Sequence, residues 1–484
     1  MKILVSGATG YVGTRLIPRL LDSGHEVSCM VRNASRVDPR VADSTRIVVA
    51  DVLQAESVAT AMQGIEVAYY LIHSMSAPGG DFQERDRLAA NNFAVAARQA
   101  GVKRIIYLGG LASETSQISL HLKSRHETGE TLRRFGPPVT EFRAGIIVGN
   151  GSVSFELIRY LTERLPVMIC PRWVITRTQP IAIDDVLDYL VAALQSPEST
   201  DQVIEIGGAT IETYRSMMLT YAQARRLKRW LLRVPVLTPR LSSYWLRLVT
   251  PIPTSIARPL IEGLRTEVVC KNTRAAELFP AIRPMGYAAA IERTLTRALP
   301  DDSLRETLPC RPAHVFTRRD GVLCDIRQAV ADASPKEVFS VITHLGGSNG
   351  YLYANSLWRI RGWLDRFLGG VGMKPGPGIA SLKKNDHIDF WYVQDLEADR
   401  RLLLRAEMKL PGRAWLEFLV SPQPTSRTLL RCCAWFEPRG LFGELYWWVL
   451  YPAHILIFRG MVQAVCRKAT HSITIQPAYT GQGL

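Results

Sequence analysis

The chain has 484 residues, enough for two or three domains with their own cores, and its 47% hydrophobic content is that of an ordinary globular protein. Its eight cysteines form no CxxC pair and its nine histidines no HExxH spacing, which argues against a zinc site, any other metal site or a disulfide framework. The net charge of +15 is mostly arginine, dispersed and without a basic tail, so nucleic acid is disfavoured as a partner; an anionic cofactor, an anionic lipid surface or a plain solvated basic surface all accommodate it.

The N-terminus enters a strand directly, with no charged leader, which predicts a cytoplasmic protein. Ile3-Leu4-Val5 is the short apolar run of a buried parallel strand, and Gly7, Gly10 and Gly13 follow at GxxGxxG spacing before an amphipathic segment, Thr14 to Leu21. Strand, glycine turn and helix is the layout that seats a dinucleotide pyrophosphate on a helix N-terminus, which makes Gly7, Thr9, Gly10, Tyr11, Val12 and Gly13 candidate cofactor contacts. Pro18 inside this first helix is expected to kink it. His25 to Val31 reads as a second strand ending at Arg32. An acid there would hold the ribose 2′-hydroxyl of NAD; a basic side chain suits the 2′-phosphate of NADP, with Arg36 in support, unless Arg32 is simply a surface residue. A third strand, Arg46 to Ala50, ends at Asp51-Val52; a fourth, Glu66 to Ile72, ends at His73-Ser74; a helix follows from Phe82 to Ala100; a fifth strand, Lys103 to Leu108, ends at Gly109. Asp51, Val52, His73, Ser74 and Gly109 are therefore cofactor-site candidates by position, because strand ends face the crevice of a doubly wound sheet.

These motifs resemble an atypical short-chain dehydrogenase/reductase (SDR): GATGYVG, the Ala50-Asp51-Val52 step, the Tyr107-Leu108-Gly109-Gly110 strand end, Arg143-Ala144-Gly145, and the late Gln179–Val186 segment. The resemblance covers about the first 300 residues and implies a Rossmann-type doubly wound parallel sheet binding NAD(P)H. It fails at the catalytic helix. Where the family carries YxxxK, this chain has His121 and Arg125, with Lys123 off that register. Histidine exchanges protons near neutral pH and arginine can hold a ribose; the alternative is that His121 caps or packs a helix start. Ser113 sits where a catalytic Ser/Thr is often found. The Leu-, Trp- and Pro-rich stretch from Trp230 to Ile261 holds five prolines between 235 and 259, which forbid one membrane-spanning helix; it reads as short helices over the crevice, or as a docking surface.

Pro300 to Pro312 reads as a linker, and seven of the ten tryptophans lie beyond it. Leu323–Val330 alternates as a strand, a helix starts at Ala333–Phe339, and four strand-like runs follow: Asp386–Val393, Arg401–Met408, Arg413–Val420 and Thr428–Phe436. Gly369–Lys374 is a flexible turn and not a phosphate loop, because it lacks the GK[ST] ending and a preceding strand. Leu441 to Val465 is a long apolar helix, either gripped by the sheet or docked at a membrane interface. Strand, helix, meander and final helix resemble the START/SRPBCC helix-grip fold, an α+β domain whose resemblance implies an apolar pocket. The pairing of domains resembles the YbjT-like bacterial family, at Leu357–Trp363, Asp389–Trp391, Glu407–Gly412 and Tyr446–Trp448. Trp391, Trp415 and Trp435 either line that pocket or fill the core.

The expectation is thus a two-domain protein: residues 1–305 an atypical SDR domain binding NADP(H), with NAD(H) as the alternative, and residues 306–484 a START/SRPBCC-like domain. It is expected to be an oxidoreductase acting on a small hydrophobic carbonyl, enone or quinone-like molecule, with His121, Arg125 and Ser113 as the catalytic group. The competing reading is a non-catalytic NADP(H) sensor, and peripheral membrane contact could accompany either.

Overall fold

A computed structural model describes residues 1–37, 39–72, 82–111, 119–233, 263–264, 266–296, 314–319, 321–373, 382–423 and 427–473. The chain forms two compact units, Met1–Leu299 and Pro300–Leu484.

The first unit is built on seven parallel strands: β1 (Lys2–Ser6), β2 (Glu26–Val31), β3 (Arg46–Val49), β4 (Val67–Tyr70), β5 (Arg104–Gly110), β6 (Val139–Ala144) and a last strand, Val203–Ile206. Their order is Val203–Ile206, β6, β5, β4, β1, β2, β3. The chain winds outward from β1 to β3, then returns to the other side of β1, so the reversal falls between β1 and β4. A crevice opens at such a switch point beyond the strands' C-terminal ends.

Burial on both faces explains the unbroken apolar run of β1. Ile3 and Val5 pack with the helices Gly13–Asp22 and Ile183–Ala192, while Leu4 points to the opposite core with Ala68, Tyr70 and Phe93. The first helix runs on through Pro18 to Asp22, held to the sheet by buried Leu16, Ile17 and Leu20. A separate apolar cluster, formed by Phe155, Ile158, Tyr214, Met217, Tyr221 and Tyr287, builds a wall from the helices Val153–Arg164, Tyr214–Ala224 and Tyr287–Thr296. Thr213 caps the middle helix in a reciprocal capping box with Ser216. Of the Trp230–Ile261 stretch, Trp230–Arg233 is a strand parallel to Val167–Cys170; all five prolines lie outside the described residues.

The second unit is an antiparallel sheet of seven strands, in the order His314–Arg319, Val322–Ala331, Arg427–Pro438, Gly412–Gln423, Arg401–Ala406, Trp391–Glu397, His387–Ile388. The first of these was not expected from sequence. The helix Gly440–Ile473 packs on this sheet through Phe458, Met461, Val462, Val465, Cys466 and Ala469. Ser334 and Glu337 cap the helix Pro335–Thr343 reciprocally.

Three expectations change here. The run Asp386–Val393 is not one strand: it breaks at Asp389, whose φ is 51° and whose carboxylate accepts the Tyr351 hydroxyl at 2.7 Å and the Gly347 N–H at 3.1 Å. A space of about 10 Å³, room for a water and not for a ligand, lies among Ile342, Leu345, Tyr351 and sheet residues such as Leu402 and Phe418. The stacked rings of Tyr351, Trp358 and Phe390 pack in the same core. Trp391, Trp415 and Trp435 are buried core residues, the last two donating to Gln394 and Glu417 at 3.0 Å. The turn at Gly369–Met373 is tied down by buried Asp365, which accepts the Gly372 N–H at 2.9 Å; Lys374 lies outside the described residues.

Candidate active site

A cleft of about 730 Å³ lies at the C-terminal ends of the first unit's strands. Its floor is the glycine turn. Gly7 has φ +70°, and a Cβ there would lie 2.6 Å from the Leu71 carbonyl oxygen, so only glycine fits beside β4. A Cβ on Gly13 would lie 2.3 Å from the Gly7 carbonyl oxygen, which already accepts the Gly10 N–H at 2.9 Å. Gly10 differs: its Cβ position meets only the Gly7 oxygen at 3.1 Å and faces the cleft. The turn is therefore closed behind and lines the cleft in front, at the N-terminal end of the helix Gly13–Asp22, the end that favours negative charge. That is an anion cradle. Arg15 fixes it from the side, donating to the Tyr11 and Asn150 carbonyls at 3.0 and 2.9 Å while stacking on the Tyr11 ring.

Thr9, Tyr11, Val12, Arg32, Asp51, Val52 and Gly109 line the same cleft, as do His121 and Arg125. Arg32 is exposed at the end of β2; Arg36, also exposed, is not among the lining residues. Asp51 accepts the Leu53 N–H at 3.1 Å, which sets the turn after β3. His73, Ser74 and Ser113 lie outside the described residues. Lys123 points away and sits 3.8 Å from Glu127 on the outer surface.

His121 and Arg125 stand one turn apart on the helix Leu120–Phe135, capped by Ser119. Burial, with the Arg125 charge second, pushes the His121 imidazole down to about 3. The ring is therefore held neutral near pH 7, where it serves as a hydrogen-bonding group. Burial also raises the phenols of Tyr107 and Tyr214; the Tyr107 hydroxyl donates to the Arg125 carbonyl at 2.9 Å and so fixes that turn of helix.

The rest of the cleft is an apolar chamber that includes Ile146, Leu157, Ile158, Leu161, Met218 and Leu264. Sequence reasoning missed it because its members come from four separate segments. It missed Arg85 as well, a third arginine lining the cleft, from the first turn of the helix Phe82–Gln99. The signal for Arg85 was its place in the first turn of the helix that follows β4.

Residues 7–134 match a family described as NAD(P)H-binding. That match takes in the glycine turn, the strand ends of β2 and β3 and the helix turn of His121 and Arg125, so this part of the first unit is similar to NAD(P)H-binding domains. Residues 318–461 match a protein family of unknown function, DUF2867, so the helix-grip assignment of the second unit rests on its pattern alone. The chain is 26% identical over 214 residues to the photosystem II assembly factor Ycf39 of Cyanophora paradoxa, covering 43% of this chain and 64% of that one. It is 35% identical over 116 residues to a 3-diazoavenalumate denitrifying reductase of a Streptomyces species, covering 22% and 36%. The chain thus spans less than two thirds of these relatives. The NADPH-dependent quinone oxidoreductase of Escherichia coli, solved with NADPH, superposes with a TM-score of 0.50 at 19% identity, over 61% of this chain and all of that one. The triphenylmethane reductase of Citrobacter gives 0.50 at 20%, over 61% and 99%. At these identities the likeness is one of fold.

Proposed function

We propose that this chain is an NADPH-dependent reductase of hydrophobic, electron-poor acceptors, quinone-like in chemistry. The observation that carries the reading is that one cleft is lined both by the glycine turn Gly7–Gly13 and by an apolar chamber, with His121 and Arg125 in the same lining. Bound there, NADPH would supply a hydride to the acceptor. The glycine turn holds the diphosphate, Arg32 the 2′-phosphate, with no acid at that position to select NAD. Arg125 holds ribose hydroxyls in place of the missing lysine. His121, neutral, donates its N–H to an acceptor oxygen and stays neutral. A general acid works best with a pKa near the working pH, and no such group lines the described cleft. That favours acceptors whose reduced anion is delocalised, as a quinone's is; the proton completing the hydroquinone then comes from water. The same absence supports the rival reading, a non-catalytic NADP(H) sensor.

A single-turnover experiment separates them. The protein is loaded with NADPH and mixed with a short-chain benzoquinone, and loss of nicotinamide absorbance is followed. Oxidation dependent on quinone is expected, with no inflection from His121 between about pH 5 and 8 because its pKa is about 3. His121→Gln should slow the reaction without changing the shape of that profile. Tight NADPH binding with no oxidation by quinone, enone or aldehyde would leave the sensor reading standing. An inflection near neutrality that vanishes in His121→Gln would contradict the neutral imidazole.

A further inference from the structure

The second unit carries two neighbouring helices whose outward faces are apolar, not polar. On the helix Asn355–Phe367, Ile360, Trp363 and Phe367 form one stripe at i, i+3, i+7, with Trp363 68% and Phe367 76% exposed and their rings stacked. Along the first turns of Gly440–Ile473, Phe442, Leu445 and Val449 form another, 80%, 58% and 67% exposed. The two helices touch where Arg361 donates to the Tyr446 hydroxyl at 3.1 Å and Trp358 meets Phe458. A soluble surface rarely shows so many large side chains together.

Charge says what covers them. Each helix contains one acid, and both acids are turned inward. Asp365 is fully buried and accepts the N–H groups of Gly372 and Lys409. Glu444 is paired with Arg318. The exposed charges on these helices are basic: Arg359 and Arg366 flank the first stripe, and the outward face of the long helix changes from apolar to basic at Arg459 and Arg467. An apolar, aromatic stripe bordered by arginines, with no exposed acid, complements the acyl-chain and headgroup boundary of an anionic bilayer. A second copy seated on this face would set these arginines against each other. The long helix runs on through Pro452, and its C-terminal half is packed on the sheet, which suits lying in the interface and not spanning.

We propose that this two-helix face docks on anionic lipid, holding the protein at a membrane surface. The test is flotation of the full chain with phosphatidylglycerol-containing vesicles, against phosphatidylcholine vesicles, at low and high salt. Binding to the anionic vesicles, weakened by salt, is expected, together with quenching of tryptophan fluorescence by brominated acyl chains. Trp363→Glu with Phe442→Glu should reduce flotation at least tenfold while leaving NADPH binding intact as the control for folding. Arg359→Gln with Arg366→Gln, a milder surface change, should reduce it and flatten the salt dependence. Failure of the wild-type chain to float with anionic vesicles would overturn the proposal. So would a dimer in sedimentation equilibrium that the Trp363 and Phe442 substitutions dissociate, which would make this face an interface between copies.

Discussion

Gly13→Ala is expected to weaken NADPH binding roughly 10- to 100-fold and to lower the melting temperature of the first unit. The added Cβ would lie 2.3 Å from the Gly7 carbonyl oxygen and 3.0 Å from Ala8 Cα, both backbone atoms that cannot swing aside. Relief requires the turn itself to open, breaking the Gly10 N–H to Gly7 bond and moving the helix N-terminus off the cleft. Overpacking of this kind costs about 1–3 kcal/mol. Gly10→Ala is the informative partner. Its Cβ position lies 3.1 Å from the Gly7 carbonyl oxygen, a milder crowding than at Gly13, and Gly10 lines the cleft, so binding should fall with a smaller loss of melting temperature. Isothermal titration and thermal unfolding of both variants separate a turn that shapes the fold from one that receives a ligand. Equal loss of stability in the two would contradict this division.

Glu141→Ala is expected to destabilise the first unit by about 3–5 kcal/mol. The Glu141 side chain is fully buried on β6, bound by Arg133 and, at 2.7 Å, by Arg143. Removing the carboxylate leaves two largely buried guanidinium groups facing each other across a cavity. Glu141→Gln keeps the volume and one acceptor and should cost less. The Glu141 carboxylate also lies under the cleft, 3.5 Å from the Cβ position of Gly109, so both variants should lose NADPH affinity along with stability. Urea unfolding gives the stability directly, and a cost under about 1 kcal/mol would show the triad to be dispensable.

What the sequence made legible is the part governed by local rules. Val5 before Gly7, with the glycines at fixed spacing and an amphipathic segment behind them, allows few backbones, and β1, the turn and the first helix stand where the pattern places them. Arg32 and Asp51 were found because strand ends converge in this topology. His121 and Arg125 were found because they stand where the resembled family carries YxxxK. Their chemistry was not legible, since the downward push on His121 comes from burial by segments distant in the chain. Glu141 escaped notice for the same reason: an acid inside a strand carries no local mark of its two arginine partners. In the second unit the meander was readable from its alternation. The break at Asp389 was not, because its cause is a hydroxyl and an N–H from the segment near residue 350.

The central claim, that the cleft is an NADPH site selected by Arg32, is tested most directly by equilibrium binding of NADPH and NADH to the wild-type chain and to Arg32→Asp. A charge-assisted hydrogen bond between arginine and phosphate is worth about 1.5–3 kcal/mol, so NADPH should bind roughly 10- to 150-fold more tightly than NADH, and Arg32→Asp should erase or reverse that preference. Equal affinity for the two cofactors in both proteins would remove Arg32 from the site. Failure of the wild-type chain to bind either one would contradict the account as a whole.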